Sequence, residues 1–139
     1  MFSFSTQRRV LYGETDKMGY LYYGNYASYY ETGRVESMRS IGLVYKELED
    51  KGIIMPVLDM SVKYLKPAFY DDLLTIKTIL PEFPDGFKLY FQYEIFNQHN
   101  QLLNTGDSTL IFFDAKIRKP IQAEEVLEGK LDAFFGRIK

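Results

Sequence analysis

Residues 13–26 read GETDKMGYLYYGNY, with two carboxylates, Glu14 and Asp16, two positions apart among glycines and ahead of a tyrosine-rich run. Asp16 stands in a short turn, followed by aromatic and aliphatic residues and then by the longest helical pattern in the chain. The first N–H groups of that helix, around Tyr23 and Gly24, lack intrahelical acceptors and can donate to a ligand oxygen. A carboxylate facing free amide donors across a small gap has the parts for acyl chemistry. The donors polarise a carbonyl, and the carboxylate attacks it or activates a water. Gly24, having no side chain, keeps the approach open. The same spacing also has an architectural reading, because an aspartate in a G-x-x-D turn ahead of a helix is commonly an Asx-turn former or a distal cap. Glu14 reads as a solvated loop charge, and Tyr12, Tyr20, Tyr22 and Tyr23 are residue types that more often pack than react.

Other chemistries find little material in this chain. The single histidine, His99, lies in a QHNQ turn, where side chains are usually solvated, so a Ser-His-Asp triad has no support and no G-x-S-x-G elbow accompanies it. Neither common glycine-rich phosphate loop is present. With no cysteine and one histidine, metal-ligand clusters, disulfides and thiol nucleophiles are excluded together, and neither metal nor cofactor is called for. The cysteine-free composition suits a reducing cytoplasm. A formal charge of −2 gives no field to steer the protein to nucleic acid or an anionic membrane. The first residues, MFSFSTQRRV, carry no apolar stretch of signal-peptide length, and no later segment could span a bilayer. By elimination, a catalytic group here is a carboxylate or a tyrosine helped by backbone dipoles.

The elements that must position these residues follow from periodicity. Phe2 to Tyr12 reads as a strand by its broken alternation. A helix follows from about Gly24 to Ser40, with Tyr26, Tyr30, Gly33, Ser37 and Ile41 on the buried face, flanked by Ala27 and Arg34. Gly33 in mid-helix costs roughly 1 kcal/mol relative to alanine, so close approach of another element is its expected reason. A short helical piece spans Tyr45 to Asp50 before Gly52. Residues 53–68, 72–83, 87–97 and 102–115 are β-type runs, separated by turn signals at Pro67 with Tyr70-Asp71-Asp72, at Pro84-Asp85-Gly86 and at 98–101. One more short helix begins near Ala123. A long helix after the first strand of an antiparallel meander needs the sheet to cover it, and the sheet needs one face covered. The chain is therefore expected to be a single α+β domain over residues 1–139, and its 12 Tyr and 11 Phe must lie largely in core or interface.

The run Tyr12-Gly13-Glu14-Thr15-Asp16-Lys17-Met18-Gly19, then Tyr23-Gly24-Asn25-Tyr26, then Glu31 and Arg34 along the helix, resembles the N-terminal signature of hotdog-fold acyl-CoA thioesterases of the 4-hydroxybenzoyl-CoA type. The later run Tyr64-Leu65-Lys66-Pro67-Ala68 with Asp71-Asp72 looks like that family's second-strand exit. The resemblance implies an antiparallel sheet of about five strands wrapped around one long central helix. It implies that Asp16 is the nucleophile or general base on the thioester, that the Tyr23 amide polarises the carbonyl, and that Asn25 and Tyr26 hold the helix start. Tyr12 matches a strand-end tyrosine near the site. Homodimers pairing their sheets edge to edge, with active sites at the subunit interface, are implied as well. Where a large branch of the family carries histidine, this chain has Tyr23; backbone donation survives that change and any role for an imidazole is lost.

The expected substrate is therefore an acyl-CoA or an acyl carrier protein thioester, cleaved to a free acid and the thiol. Tyr20 and Tyr22, with Met55, Met60, Phe91 and Tyr93, are candidate pocket residues. Lys63 and Lys66, with Arg118 and Lys119, are candidate partners for CoA phosphates. A domain that binds acyl-CoA or another aromatic ligand without turning it over is the alternative, since flat rings line ligand pockets well. A hotdog hydratase is disfavoured, because such enzymes resemble one another in a paired Asp and His. Exposed strand surface and aromatics lean toward a tetramer over a dimer.

Overall fold

A computed structural model describes residues 1–137. β1 (Phe2–Arg9) is followed by a 3₁₀ turn at Tyr12–Glu14 and a second at Tyr23–Asn25, which leads directly into α1 (Tyr26–Ser40). α2 (Tyr45–Asp50), the two-residue β2 (Ile53–Ile54) and β3 (Val57–Tyr64) come next. The chain continues as β4 (Leu73–Leu80), β5 (Lys88–Phe96), β6 (Leu102–Asp114), β7 (Lys119–Ile121), α3 (Ala123–Leu127) and a 3₁₀ turn at Asp132–Phe135.

The sheet is antiparallel with seven strands, five long and two short. The two short strands, β2 and β7, both pair with β6 and had no periodicity to show them, being too short for an alternation to register. The expected meander holds only for β4, β5 and β6. β3 pairs with β6 instead of β4, and β4 pairs on its other side with β1. The reason lies in the connection 65–72, which leaves the β3 edge, receives the Leu21 amide at Ala68 O (2.8 Å) and reaches the end of β1, where Val10 N donates to Asp72 O (2.9 Å).

Strict alternation puts Leu74, Ile76, Thr78 and Leu80 of β4 and Leu89, Phe91, Tyr93 and Ile95 of β5 on one buried face, against which α1 packs. α1 buries Tyr26, Tyr29, Tyr30, Gly33, Arg34, Ser37 and Met38. Tyr26, Tyr30, Gly33, Arg34 and Ser37 are buried as expected, but Ala27 is exposed and Ile41 only half-buried, while Tyr29 and Met38 also turn inward. Tyr29 is drawn in by Arg8, whose guanidinium carbon lies 3.9 Å from the ring centroid. Gly33 fulfils the close-approach expectation, since a Cβ there would overlap Thr78 Oγ1 and lie 2.9 Å from Ile76 Cγ2. The ring of Tyr30 stacks on Tyr93 with centroids 4.1 Å apart. Among the described residues no helix is long and apolar enough to cross a membrane.

Candidate active site

The segment 14–22 folds into a small hairpin. Tyr22 N donates to Glu14 O (2.8 Å), Asp16 N to Tyr20 O (2.9 Å) and Gly19 N to Asp16 O (3.0 Å), with Thr15 bridging Leu21 between them. Gly19 closes the turn at φ +78°, a left-handed conformation open to glycine without a Cβ penalty. Oδ1 of Asp16 accepts the amides of Met18 (2.9 Å) and Tyr20 (3.2 Å). Asp16 is thus an Asx-turn former through one oxygen, while its Oδ2 accepts no hydrogen bond among the described residues.

Directly past the hairpin comes the 3₁₀ turn Tyr23–Asn25 that feeds α1, closed by Asn25 N donating to Tyr22 O (2.9 Å). The Tyr23 and Gly24 amides, first in that turn, have no acceptor within it and donate to no other backbone oxygen among the described residues. Asn25 Nδ2 donates to Glu14 O (2.9 Å), which ties the helix start to the base of the hairpin. The space beside Gly24 is not open, contrary to expectation. A Cβ there would come within 2.5 Å of the Tyr22 ring, so the missing side chain makes room for that ring.

Asp16, Tyr20, Tyr23, Tyr26 and Lys66 share a cavity of about 280 Å³ with Met18, Leu65 and Tyr64. Its size is near the lower end for small-molecule sites, enough for an acyl group, not for a whole cofactor. Burial, and then the neighbouring Tyr64, push the Tyr26 hydroxyl up to about 12, so it stays a neutral donor at physiological pH. Its ring meets Tyr64 edge-on at 5.3 Å.

Glu14 is not the solvated charge expected from sequence. Its carboxylate accepts Arg8 Nη2 (2.7 Å), Tyr29 Oη (2.8 Å) and Leu11 N (2.9 Å), and its side chain is 15% exposed. Burial pushes this carboxyl up, but the Leu11 amide, the Tyr29 hydroxyl and Arg8 together outweigh it and hold it below its ordinary value. The signal that could have found it is Arg8, an arginine on the inward register of β1, whose half-buried charge needs a nearby carboxylate.

Several other candidates fall outside this cavity within one chain. Lys63 pairs with Thr105 and shares the opposite face with Ser61 and Asp107, because strand alternation sends Tyr64 to the cavity and its predecessor away. Tyr12 is exposed and packs edge-on against Tyr70. Tyr22 lies on Tyr23 with centroids 4.6 Å apart. Phe91 and Tyr93 are core residues, and Met60 is exposed on β3. Arg118 and Lys119 sit at the turn into β7 and do not line the cavity. His99 is exposed in its turn, as expected.

Residues 10–131 match the family described as the Thioesterase-like superfamily. The acyl-CoA thioester hydrolase YbgC of Escherichia coli O6:H1 is 33% identical over 112 residues, 81% of this chain and 83% of that one. A DHNA-CoA thioesterase from Staphylococcus aureus superposes with a TM-score of 0.88 at 34% identity, covering 96% of this chain and 89% of the other. A structure from Aquifex aeolicus superposes with a TM-score of 0.83 at 31% identity, covering 90% and 97%.

Proposed function

The chain belongs to the Thioesterase-like superfamily, and from that premise we propose how it works as an acyl-CoA thioesterase of the hotdog fold. The thioester enters with its carbonyl oxygen at the start of α1, where the Tyr23 and Gly24 amides receive the negative charge that develops on it. Asp16, through the oxygen its turn leaves free, either removes a proton from the attacking water or attacks the carbonyl carbon itself. The C–S bond breaks, CoA leaves as the thiol, and the acyl group leaves as a carboxylate. A direct attack passes through an anhydride that water then opens. Single-turnover hydrolysis in heavy-oxygen water separates the two routes, since the anhydride route leaves label in Asp16.

One observation carries this reading: Asp16 has one oxygen committed to its own turn and the other uncommitted beside a largely apolar cavity that also holds Tyr23. Lys66 is the cation in the lining and suits a CoA phosphate or pyrophosphate. In this reading the active unit is a homodimer. Among the described residues the outer edge of β3 is unpaired, and β3 exposes Val57, Leu58 and Met60, a surface that a second copy can cover. A second subunit also gives Lys63 and Tyr12 a route to the CoA moiety that one chain does not offer.

The test is thiol release from acetyl-, long-chain and aryl-CoA substrates by wild type and Asp16→Asn in parallel. Cleavage of one class by wild type and none by the variant is the expected result. Full activity in the variant sinks the role of Asp16. Tight acyl-CoA binding without thiol release by wild type moves the protein to the binding-module reading.

A further inference from the structure

Resting on the Asp16 reading above, we propose that Glu14 is a positioning residue for thioester cleavage, holding the Asp16 hairpin in place against the first turns of α1. The two parts of the proposed site sit on opposite arms of that hairpin. Asp16 is two residues beyond Glu14 on the outgoing arm, and Tyr23 directly follows Tyr22 on the returning arm. Their separation is therefore set at the hairpin base, where five hydrogen bonds converge on Glu14. Its carbonyl oxygen accepts both Tyr22 N (2.8 Å) and Asn25 Nδ2 (2.9 Å). Its carboxylate accepts from Tyr29 on α1, from Leu11 in the preceding loop and from Arg8 on β1. Arg8 in turn donates to Ser28 Oγ (3.0 Å) and Thr32 Oγ1 (2.9 Å) on the next turn of α1.

This arrangement joins β1, the hairpin and the start of α1, which among the described residues share no other side-chain hydrogen bond at this point. The carboxylate itself does not line the cavity and touches no reacting atom. Its effect on the reaction is through Asp16, by fixing where that carboxylate stands relative to the Tyr23 and Gly24 amides. A misplacement on the order of 1 Å in such a pairing lowers rates by about 10²-fold. Glutamine cannot reproduce the clamp: its Oε1 can accept from Leu11 and Tyr29, but its Nε2 cannot accept from Arg8, so the tie to β1 is lost.

The experiment compares thiol release per folded site for wild type, Glu14→Gln, Asp16→Asn and the double variant, with folded protein quantified by circular dichroism and acyl-CoA binding by calorimetry. The expected result is a 10- to 100-fold fall in kcat for Glu14→Gln, with KM and acyl-CoA affinity within about twofold of wild type. In the Asp16→Asn background the same change lowers the residual turnover no further, because the group it positions is gone. An equal fractional loss in both backgrounds means Glu14 supports only the fold, and overturns the inference. If Glu14→Gln does not fold, Arg8→Lys keeps a cation without the fork that reaches Glu14, Ser28 and Thr32. A fall in kcat at constant KM is expected there too, and wild-type kcat overturns the inference. Full activity in Asp16→Asn alone sinks the Asp16 reading and this inference with it. A dead Asp16→Asn enzyme beside a Glu14→Gln enzyme with wild-type kcat sinks this inference alone.

Discussion

The molecule builds the same turn twice. At 16–20, Asp16 Oδ1 accepts the amides of Met18 and Tyr20, Asp16 N donates to Tyr20 O, and Gly19 N returns to Asp16 O. At 97–101, Asn97 Oδ1 accepts the amides of His99 (2.9 Å) and Gln101 (3.0 Å), Asn97 N donates to Gln101 O, and Asn100 N returns to Asn97 O. The fourth residue is left-handed in both, Gly19 at φ +78° and Asn100 at φ +60°. What differs is the second atom of the capping side chain. Asn97 Nδ2 is bonded to Gln101 Oε1 (2.9 Å), while Asp16 Oδ2 is uncommitted and its residue lines the cavity. The turn is architecture in both places; the spare oxygen and the apolar walls separate a candidate site from a connector.

The largest effect expected from this comparison is on turnover. Asp16→Asn keeps the Oδ1 acceptor, and Asn97 demonstrates that asparagine fits this turn. Stability should therefore change by no more than about 0.5 kcal/mol, while kcat falls by roughly 10²–10⁴-fold. Thermal unfolding and thiol release on the same preparations check both halves. A Tm loss that tracks the activity loss would make the turn's integrity, and not the free oxygen, the cause.

Next in size is the backbone. Gly19→Ala places a Cβ on a left-handed residue and should cost about 1–2 kcal/mol, although the space around it is open. Asn100→Ala, at the matching position, should cost less than that, because asparagine already carries part of the penalty. Denaturant midpoints decide this; equal losses at the two positions would show that the turns are not equivalent in strain.

Acid should separate the two turns as well, since the half-buried Glu14 carboxylate holds the base of the first, whereas the second meets a carboxylate, Asp72, only through an exposed contact from Gln98 Nε2 (2.9 Å). Glu14 has its folded-state value below the ordinary 4.5. Its contribution to stability is therefore fully present above that pH and is lost as pH falls through the depressed value. The Tm difference between wild type and Glu14→Gln should be constant above about pH 4.5 and shrink below it. A difference that grows on acidification reverses the sign and removes the clamp from the account.

The residues that were legible in the sequence are those whose neighbours along the chain decide their fate. Alternation in β4 and β5 assigned the inner face, Gly33 announced a close contact, and the asparagine and glycine turns fell where their backbone angles require them. Asp16, Tyr20, Tyr23, Tyr26 and Lys66 do meet at one cavity. What the sequence hid depends on partners distant along the chain. Tyr29 turns inward because Arg8 on β1 stacks on it, and no helical period contains that information. Glu14 looked solvated because its three donors come from β1, a loop and α1. Lys63 lies on the face of β3 opposite the cavity within one chain, a parity that only the pairing of β3 with β6 fixes.

The smallest effect is the most selective test of the comparison. Asn97→Asp installs at the second turn the side chain that the first one carries. Oδ1 still accepts the His99 and Gln101 amides, and Gln101, being exposed, can turn its amide to donate to the new oxygen in place of accepting from Nδ2. The expected loss of stability is about 1 kcal/mol or less, with thiol release unaltered. Combining it with Asp16→Asn then gives a protein whose only aspartate in this turn geometry lies where Gln98, His99 and Gln101 are all exposed. A carboxylate there is enclosed by its own turn, Asn97 being buried, and has no helix start among its bonded neighbours, so nothing brings a thioester beside it. The double variant should be as inactive as Asp16→Asn alone. Recovered turnover would mean that an aspartate in this turn suffices without the cavity, and the distinction between the two turns would fall.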